Sequence, residues 1–238
     1  MPHTFEAIKA IIFDLDDTLY DCSGTLVRSR RLKAARVIAE AVGCSEKEAD
    51  ELQRNLDEQK TPNGDLYETI GRQYSLPVSF LEDIKKAFSE VSISGIEPFA
   101  GVTDTLKDLK NRGLALFLVT VGEREEQEKK VRVLGLDGLF DEIIILDPGT
   151  FGSEAKKVGF REILDRHGLR PEEVLCVGDR MDRELKVAKE LGIYTAMVKH
   201  GRHYQRFISD SKGGGEPDMH IESVADLSGI LPVRRPSR

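Results

Sequence analysis

Ile11-Ile12-Phe13-Asp14-Leu15-Asp16-Asp17-Thr18-Leu19 runs a short apolar segment straight into three carboxylates and a hydroxyl. An apolar run of this length reads as a buried strand rather than a helix. The acids then stand at its carboxyl end, which is where open parallel sheets bind their ligands. Period-two alternation sends Asp14 and Asp16 to the same side. Taken alone, the cluster also fits a solvated turn, because Asp and Thr are ordinary turn and cap residues.

Further short apolar runs follow at Ala115 to Val119, Glu142 to Ile145, Val174 to Val177 and Tyr194 to Val198, and a last short strand is expected near Met219 to Ile221. Between them lie helical patterns with legible ends. Val102, Leu106 and Leu109 share a face before Gly113, and Val131 and Leu134 precede Gly135. A helix from about Ser153 stops at Gly168, and Leu185, Ala188 and Leu191 precede Gly192. Glycine ends helices because it takes the left-handed conformation without a Cβ clash. Strands alternating with helices predict an α/β fold, a parallel sheet covered on both faces.

One connection is too long, since roughly 80 residues separate the first strand from the second and a crossover helix needs far fewer. An all-helical insert is expected there. Its helices run from Leu26 to Val42 before Gly43, from Ser45 to about Gln59, from about Asp65 to Tyr74, and from Phe80 to Val91, where Ile84 and Phe88 share a face. Ser45 with Glu48 three residues on has the form of a capping box. Short helices joined by tight loops suggest a small bundle. The core domain is thus expected over 1–20 and 97–238, and the insert over 21–96. Lys212 to Gly215 reads as a flexible surface loop.

At 238 residues, 39% of them hydrophobic, the chain can bury one large core with a satellite domain. Its longest apolar stretches, Leu114 to Val119 and Ile143 to Leu146, fall short of the roughly 18 residues that span a bilayer. No membrane segment is expected, and Met1 to Lys9 lacks a signal core, so a cytoplasmic location follows. Cys22, Cys44 and Cys176 show no CxxC spacing and read as reduced thiols, Cys176 within an apolar run. A formal charge of -7 argues against nucleic acid as a partner. An anionic substrate then requires a locally positive site. Monomer and homodimer are equally compatible with the sequence.

Other strand ends supply polar groups. Thr120 closes the second strand with a hydroxyl. Gly178-Asp179 closes the fourth, with Asp182 and Glu184 beyond, and hard carboxylate oxygens are what Mg²⁺ prefers. Asp182 and Glu184 also fall in the first turn of a helix, where the dipole favours acids in any case. Lys199-His200-Gly201-Arg202-His203 reads as a solvated basic loop or as an attractor for an anion, and its histidines, without ligand-like partners, are assigned no metal.

With these motifs in hand, the chain resembles the haloacid dehalogenase-type (HAD) hydrolase superfamily, in its phosphatase branch with a helical cap. The DxDxT motif stands as Asp14, Asp16 and Thr18, and the Thr closing a hydrophobic strand as Thr120. The lysine at a helix start matches Lys156 or Lys157. Gly-Asp with a further acid matches Gly178, Asp179 and then Asp182 or Glu184. Two departures are visible: Val121 stands before Gly122 where Asn-Gly is common, and no proline follows the lysine. The resemblance implies a Rossmann-like core with a cap that closes over the site and selects the leaving group. It also implies Mg²⁺ and a small phosphorylated metabolite as substrate. Asp14 would be nucleophile and metal ligand. Asp16 would be general acid and base, offering its backbone carbonyl to the metal. Asp179 would complete the ligands, with Asp182 or Glu184 in support. Thr120, Val121 and the lysine would hold phosphoryl oxygens. Of the two lysines, Lys156 shares the packed face of Phe160, Ile163 and Leu164, whereas Lys157 aligns with Arg161.

Electrostatics supports such a set. With Asp14, Asp179 and one further acid ionised and Asp16 protonated, one Mg²⁺ and one lysine bring the site to neutrality before a phosphate enters. A dehalogenase would not need Asp16, because halide leaves without a proton. A phosphomutase uses the same residues, and a receiver-like or non-catalytic phosphate-binding module places similar acids at strand ends.

Overall fold

A computed structural model describes residues 5–58, 66–209 and 215–232 of the chain. Strands β1 (Ala10–Phe13), β2 (Ala115–Val121), β3 (Glu142–Leu146), β4 (Val174–Gly178), β5 (Tyr194–Val198) and β6 (Met219–Ile221) form one sheet in the order β3-β2-β1-β4-β5-β6. Every pairing is parallel, so the fold is the expected Rossmann-like α/β sheet. The order runs outward from β1 in one direction through β2 and β3, and in the other through β4, β5 and β6. The reversal opens a crevice at the carboxyl ends of β1 and β4. β2 continues one residue past the expected end, so Thr120 pairs within the ladder opposite Ile145.

The chain divides into two compact units, Met1–Asp21 with Ser94–Arg238, and Cys22–Ile93. The second unit holds α1 (Arg28–Val42), α2 (Glu46–Glu58), α3 (Leu66–Gln73) and α4 (Ser79–Ser89). Its core gathers Ala34, Ala35, Ile38, Ile70, Phe80 and Ile84. Ser45 and Glu48 form the capping box, Ser45 N–H donating to Glu48 at 2.8 Å and Glu48 N–H to Ser45 Oγ at 3.2 Å. The first helix starts later than the pattern suggested, because Ser23–Val27 winds as a π-helical turn. The expected ends at Gln59 and Asp65, and all but Gly215 of the glycine-rich loop, lie outside the described residues.

The first unit carries α5 (Val102–Asn111), α6 (Arg124–Val133), the short α7 (Pro148–Phe151), α8 (Ala155–His167), α9 (Glu184–Leu191), α10 (Gly201–Ser209) and α11 (Leu227–Ile230). Phe160, Ile163, Leu185 and Ala188 of α8 and α9 pack on Ala10, Ile12, Phe117, Val119 and Cys176 of the sheet. The alternate strand residues Ile11, Phe13, Leu116 and Leu118 are buried as well, as a sheet covered on both faces requires. Only the second part of the basic segment is helical, with Lys199 and His200 in the connection after β5. Gly201 takes a positive φ of 77° and α10 begins there.

Two local features set how close the layers come. At Gly159, a Cβ would lie 2.8 Å from Val119 Cγ1 and 2.9 Å from Leu146 Cδ1, so α8 approaches β2 and β3 only because the side chain is absent. At the amino ends of β1 and β4, the Glu173 carboxylate accepts from Lys9 at 2.5 Å and from Arg170 at 3.0 Å. These bonds hold Glu173 down to about 2 from the ordinary 4.5.

Gly159→Ala should overpack this contact, costing about 1 to 3 kcal/mol and lowering Tm by about 2 to 12 °C. An unchanged melting curve would mean that α8 can retreat freely. Because the folded-state pKa of Glu173 is depressed, its stabilisation is present above 4.5 and is lost as pH falls toward about 2. Denaturant unfolding of wild type and Glu173→Gln should therefore differ by a constant amount above about pH 5 and converge in acid. A difference that does not depend on pH would contradict the ion-pair assignment.

Candidate active site

β1 ends at Phe13, and only Asp14 of the first two acids still follows the strand. The Asp14 N–H donates to Val177 O at 3.0 Å, extending the ladder to β4 by one residue and holding Asp14 at the crevice. Its carboxylate accepts from Lys156 Nζ, which also donates to Val119 O at 2.5 Å. Lys156 is buried in the first turn of α8, within reach of β1 and β2 because Gly159 brings the helix in. Lys157 points elsewhere, to Glu154 at 3.7 Å and Glu190 at 3.9 Å.

Asp16 lies in the turn beyond. Lys130 Nζ of α6 donates to both of its oxygens at 3.1 Å, and Tyr20 OH donates to Oδ1 at 2.6 Å. Neither partner was anticipated. The single signal was Lys130 beside Gln127 and Val131 on what becomes the buried face of α6, a place where lysine is seldom found unpaired. The count of one lysine for the site is therefore corrected to two.

The remaining acids divide. Asp14, Asp179 and Glu184 place carboxylate oxygens within 4.8 Å of one another. Asp182, by contrast, is exposed and paired with the Arg180 guanidinium at 2.9 and 3.0 Å. Glu184 sits beneath Gly178, where a Cβ would meet its Cγ at 2.7 Å, and its Oε1 accepts from Arg180 N–H at 2.7 Å. Thr120 is buried, with Val121 at the end of β2 beside it. The histidines do have partners: His203 stands with Asp17 and Asp179 within the same 4.8 Å, and His200 Nε2 donates to Asp17 O at 2.9 Å. Asp17 turns the chain at φ 59°, a left-handed conformation that a short polar side chain tolerates.

Positive charge is short in this pit. Burial raises Asp14 above its ordinary range, Lys156 offsets this only in part, and Asp16 adds to it. Burial alone would lower Lys156, but Asp14 and Glu184 outweigh it and the ammonium is held charged. The lysine is more firmly charged while its partner is less so, as one cation shared among several buried carboxylates must produce. Burial, with Glu184, Asp14 and Asp17, pushes Asp179 up to about 9, and burial with Asp14 pushes Glu184 to about 7. Asp179 Oδ2 is moreover buried without a hydrogen-bond partner among the described residues. Clustered hard oxygens, one of them unpartnered, fit a divalent cation such as Mg²⁺.

A family model for haloacid dehalogenase-like hydrolases matches residues 11–198, from β1 through β5. The chain belongs to that family. It is therefore a hydrolase, and relatives that match it along nearly its whole length are phosphatases. A glyceraldehyde 3-phosphate phosphatase of Methanocaldococcus jannaschii is 30% identical over 229 residues, covering 94% of this chain and 97% of that protein. A phosphoglycolate phosphatase of Aquifex aeolicus is 29% identical over 233 residues, with 94% and 97% covered. Among solved structures, a HAD phosphatase from Thermococcus onnurineus superposes with a TM-score of 0.65 at 21% identity, covering 96% of this chain and 100% of that one. That last likeness speaks for the fold alone. Among the described residues of this HAD hydrolase, no helix is long and apolar enough to cross a membrane.

Cation binding requires ionised carboxylates, whereas without a cation Asp179 is protonated at neutral pH and Glu184 is near its midpoint. Mg²⁺ uptake at pH 7 should thus release more than one proton, about one from Asp179 and about half from Glu184, with affinity rising as pH approaches 9. Calorimetry in two buffers of different ionisation heat reads this directly. Binding without proton release would show that the acids are already ionised.

Proposed function

We propose that the protein is a Mg²⁺-dependent phosphatase of small phosphorylated metabolites that forms an aspartyl phosphate on Asp14, with Cys22–Ile93 as its cap domain. The observation that carries this reading is Asp14 held by Lys156 at the sheet crevice, next to Asp179 with its unpartnered buried oxygen.

Bound Mg²⁺ would be held by Asp14, Asp179 and the Asp16 carbonyl, with Glu184 behind them, and would supply charge compensation for the transferring phosphoryl group. Each like-charge pair at 4 Å opposes attack by about 4 kcal/mol at an effective dielectric of 20, so the chain's own cations matter as well. Lys156 orients Asp14 and neutralises a phosphoryl oxygen, and the Thr120 hydroxyl and the backbone at Val121 offer further donors. Asp14 attacks phosphorus as the bond to the leaving oxygen breaks, and Asp16 delivers the proton that oxygen needs. In the second half, Asp16 takes a proton from water as it attacks the phosphoryl group, freeing Asp14.

Asp14→Asn should reduce phosphate release by at least about 10³-fold while leaving the melting curve near that of wild type. Chelator should abolish wild-type turnover and added Mg²⁺ restore it. Turnover that survived either treatment would refute the mechanism. Lys156→Ala should lower kcat/KM by about 10²-fold or more, and Lys157→Ala by less than about threefold, since only an exposed pair is lost there. Equal losses would remove Lys156 from the site.

A further inference from the structure

Lys130 is 2% exposed, and nothing in the reaction as described so far uses it. It lies on the inner face of α6 with Gln127 and Val131, while Arg124, Glu125, Glu128, Lys129 and Arg132 take the outer faces. Glu126, one turn earlier, binds the same ammonium at 3.1 Å. Burying a lysine costs stability unless it is paired and hydrogen-bonded, so its place on an inner face calls for a reason beyond packing. The ammonium meets Asp16 symmetrically, at 3.1 Å to each oxygen. Tyr20, fully buried, adds its hydroxyl to Oδ1 at 2.6 Å. The Asp16 side chain keeps about a third of its surface open, at 32%. Its carboxyl is thus fixed in angle from the protein side and presented on the other.

Resting on the phosphatase reading, we infer that Lys130 and Tyr20 are positioning residues for the acid-base carboxyl of Asp16. They act through Asp16 and do not touch the phosphoryl group. Oδ1 accepts from both Tyr20 and Lys130 and Oδ2 from Lys130, and in this proposal the transferable proton is carried on Oδ2. In the first step the phosphorus to leaving-oxygen bond breaks, the bond to Asp14 forms, and the Oδ2 proton passes to the leaving oxygen. In the second, water adds to phosphorus, its proton returns to Oδ2, and the bond to Asp14 breaks. Angular freedom of the carboxyl would weaken both steps, but the first only where the leaving group needs its proton.

The test compares kcat/KM, which reports steps through phosphoryl transfer, for p-nitrophenyl phosphate and glycerol phosphate in Lys130→Met and Tyr20→Phe. Lys130→Met should lose about 10²-fold on the alkyl ester and at least about tenfold less on the aryl ester, with Lys130→Arg restoring part of the loss. Tyr20→Phe should shift the ratio in the same sense by a smaller factor, and serves if Lys130→Met does not fold. In an Asp16→Asn background, Lys130→Met should cost almost nothing further, because a residue that acts through another has no effect once the other is gone. Equal losses on both esters, or additive losses with Asp16→Asn, would reduce Lys130 to a structural role and overturn this inference alone. A wild type that releases phosphate from neither ester would overturn the phosphatase reading and this inference with it.

Discussion

The site is organised by one imbalance: more carboxylates converge on the carboxyl ends of β1 and β4 than the protein has cations to meet them. Asp14 and Glu184 share Lys156 while Asp179 has only Arg180 nearby, and burial together with mutual repulsion holds Asp14 above its ordinary range, Asp179 at about 9 and Glu184 at about 7. Like charges this close in a poorly solvated pit repel by several kcal/mol. The surrounding structure is arranged to keep them there nonetheless. Gly178 leaves room for Glu184, the Arg180 N–H donates to the Glu184 carboxylate, and Gly159 admits α8 so that Lys156 reaches Asp14. A cluster so under-compensated is poised to take up a divalent cation and, with it, an anionic phosphoryl group.

Two neighbouring aspartates are given different surroundings. Asp14 is tied to the sheet by its own amide and faces a lysine from α8. Asp16 has left the sheet, is partly open to solvent, and is gripped by a lysine from α6 and a buried tyrosine. Carboxyl groups two residues apart can take the roles of nucleophile and proton carrier only if their environments differ in this way. The division comes from separate helices, each contributing one buried ammonium.

The fifth strand contributes to the same end of the sheet. His200 bonds the Asp17 carbonyl and packs edge-on against Phe99, with ring centroids 4.4 Å apart. His203, two residues into α10, stands by Asp17 and Asp179. The segment that looked like a solvated basic loop thus braces the turn after β1, while Lys199 turns away to Glu222 at 2.8 Å.

Local sequence was enough for the strands, the helix stops at Gly168 and Gly192, the Ser45 capping box, and the acids of the first and fourth strand ends. Each depends on periodicity or on a conformational preference within a few residues. It was also enough to set Lys156 on the packed face of its helix, because Phe160, Ile163 and Leu164 lie within two turns of it. What local sequence does not contain is the meeting of residues from distant elements. Lys130 and Asp16 are 114 positions apart, and His203 comes to Asp17 from the helix that follows β5. Glu184 and Asp182 have the same charge two residues apart, and only the close approach at Gly178 and the Arg180 pair separate their fates. Side-chain chemistry says what a residue can do, whereas the strand order β3-β2-β1-β4-β5-β6 and the helix-to-sheet distance say which partner it meets.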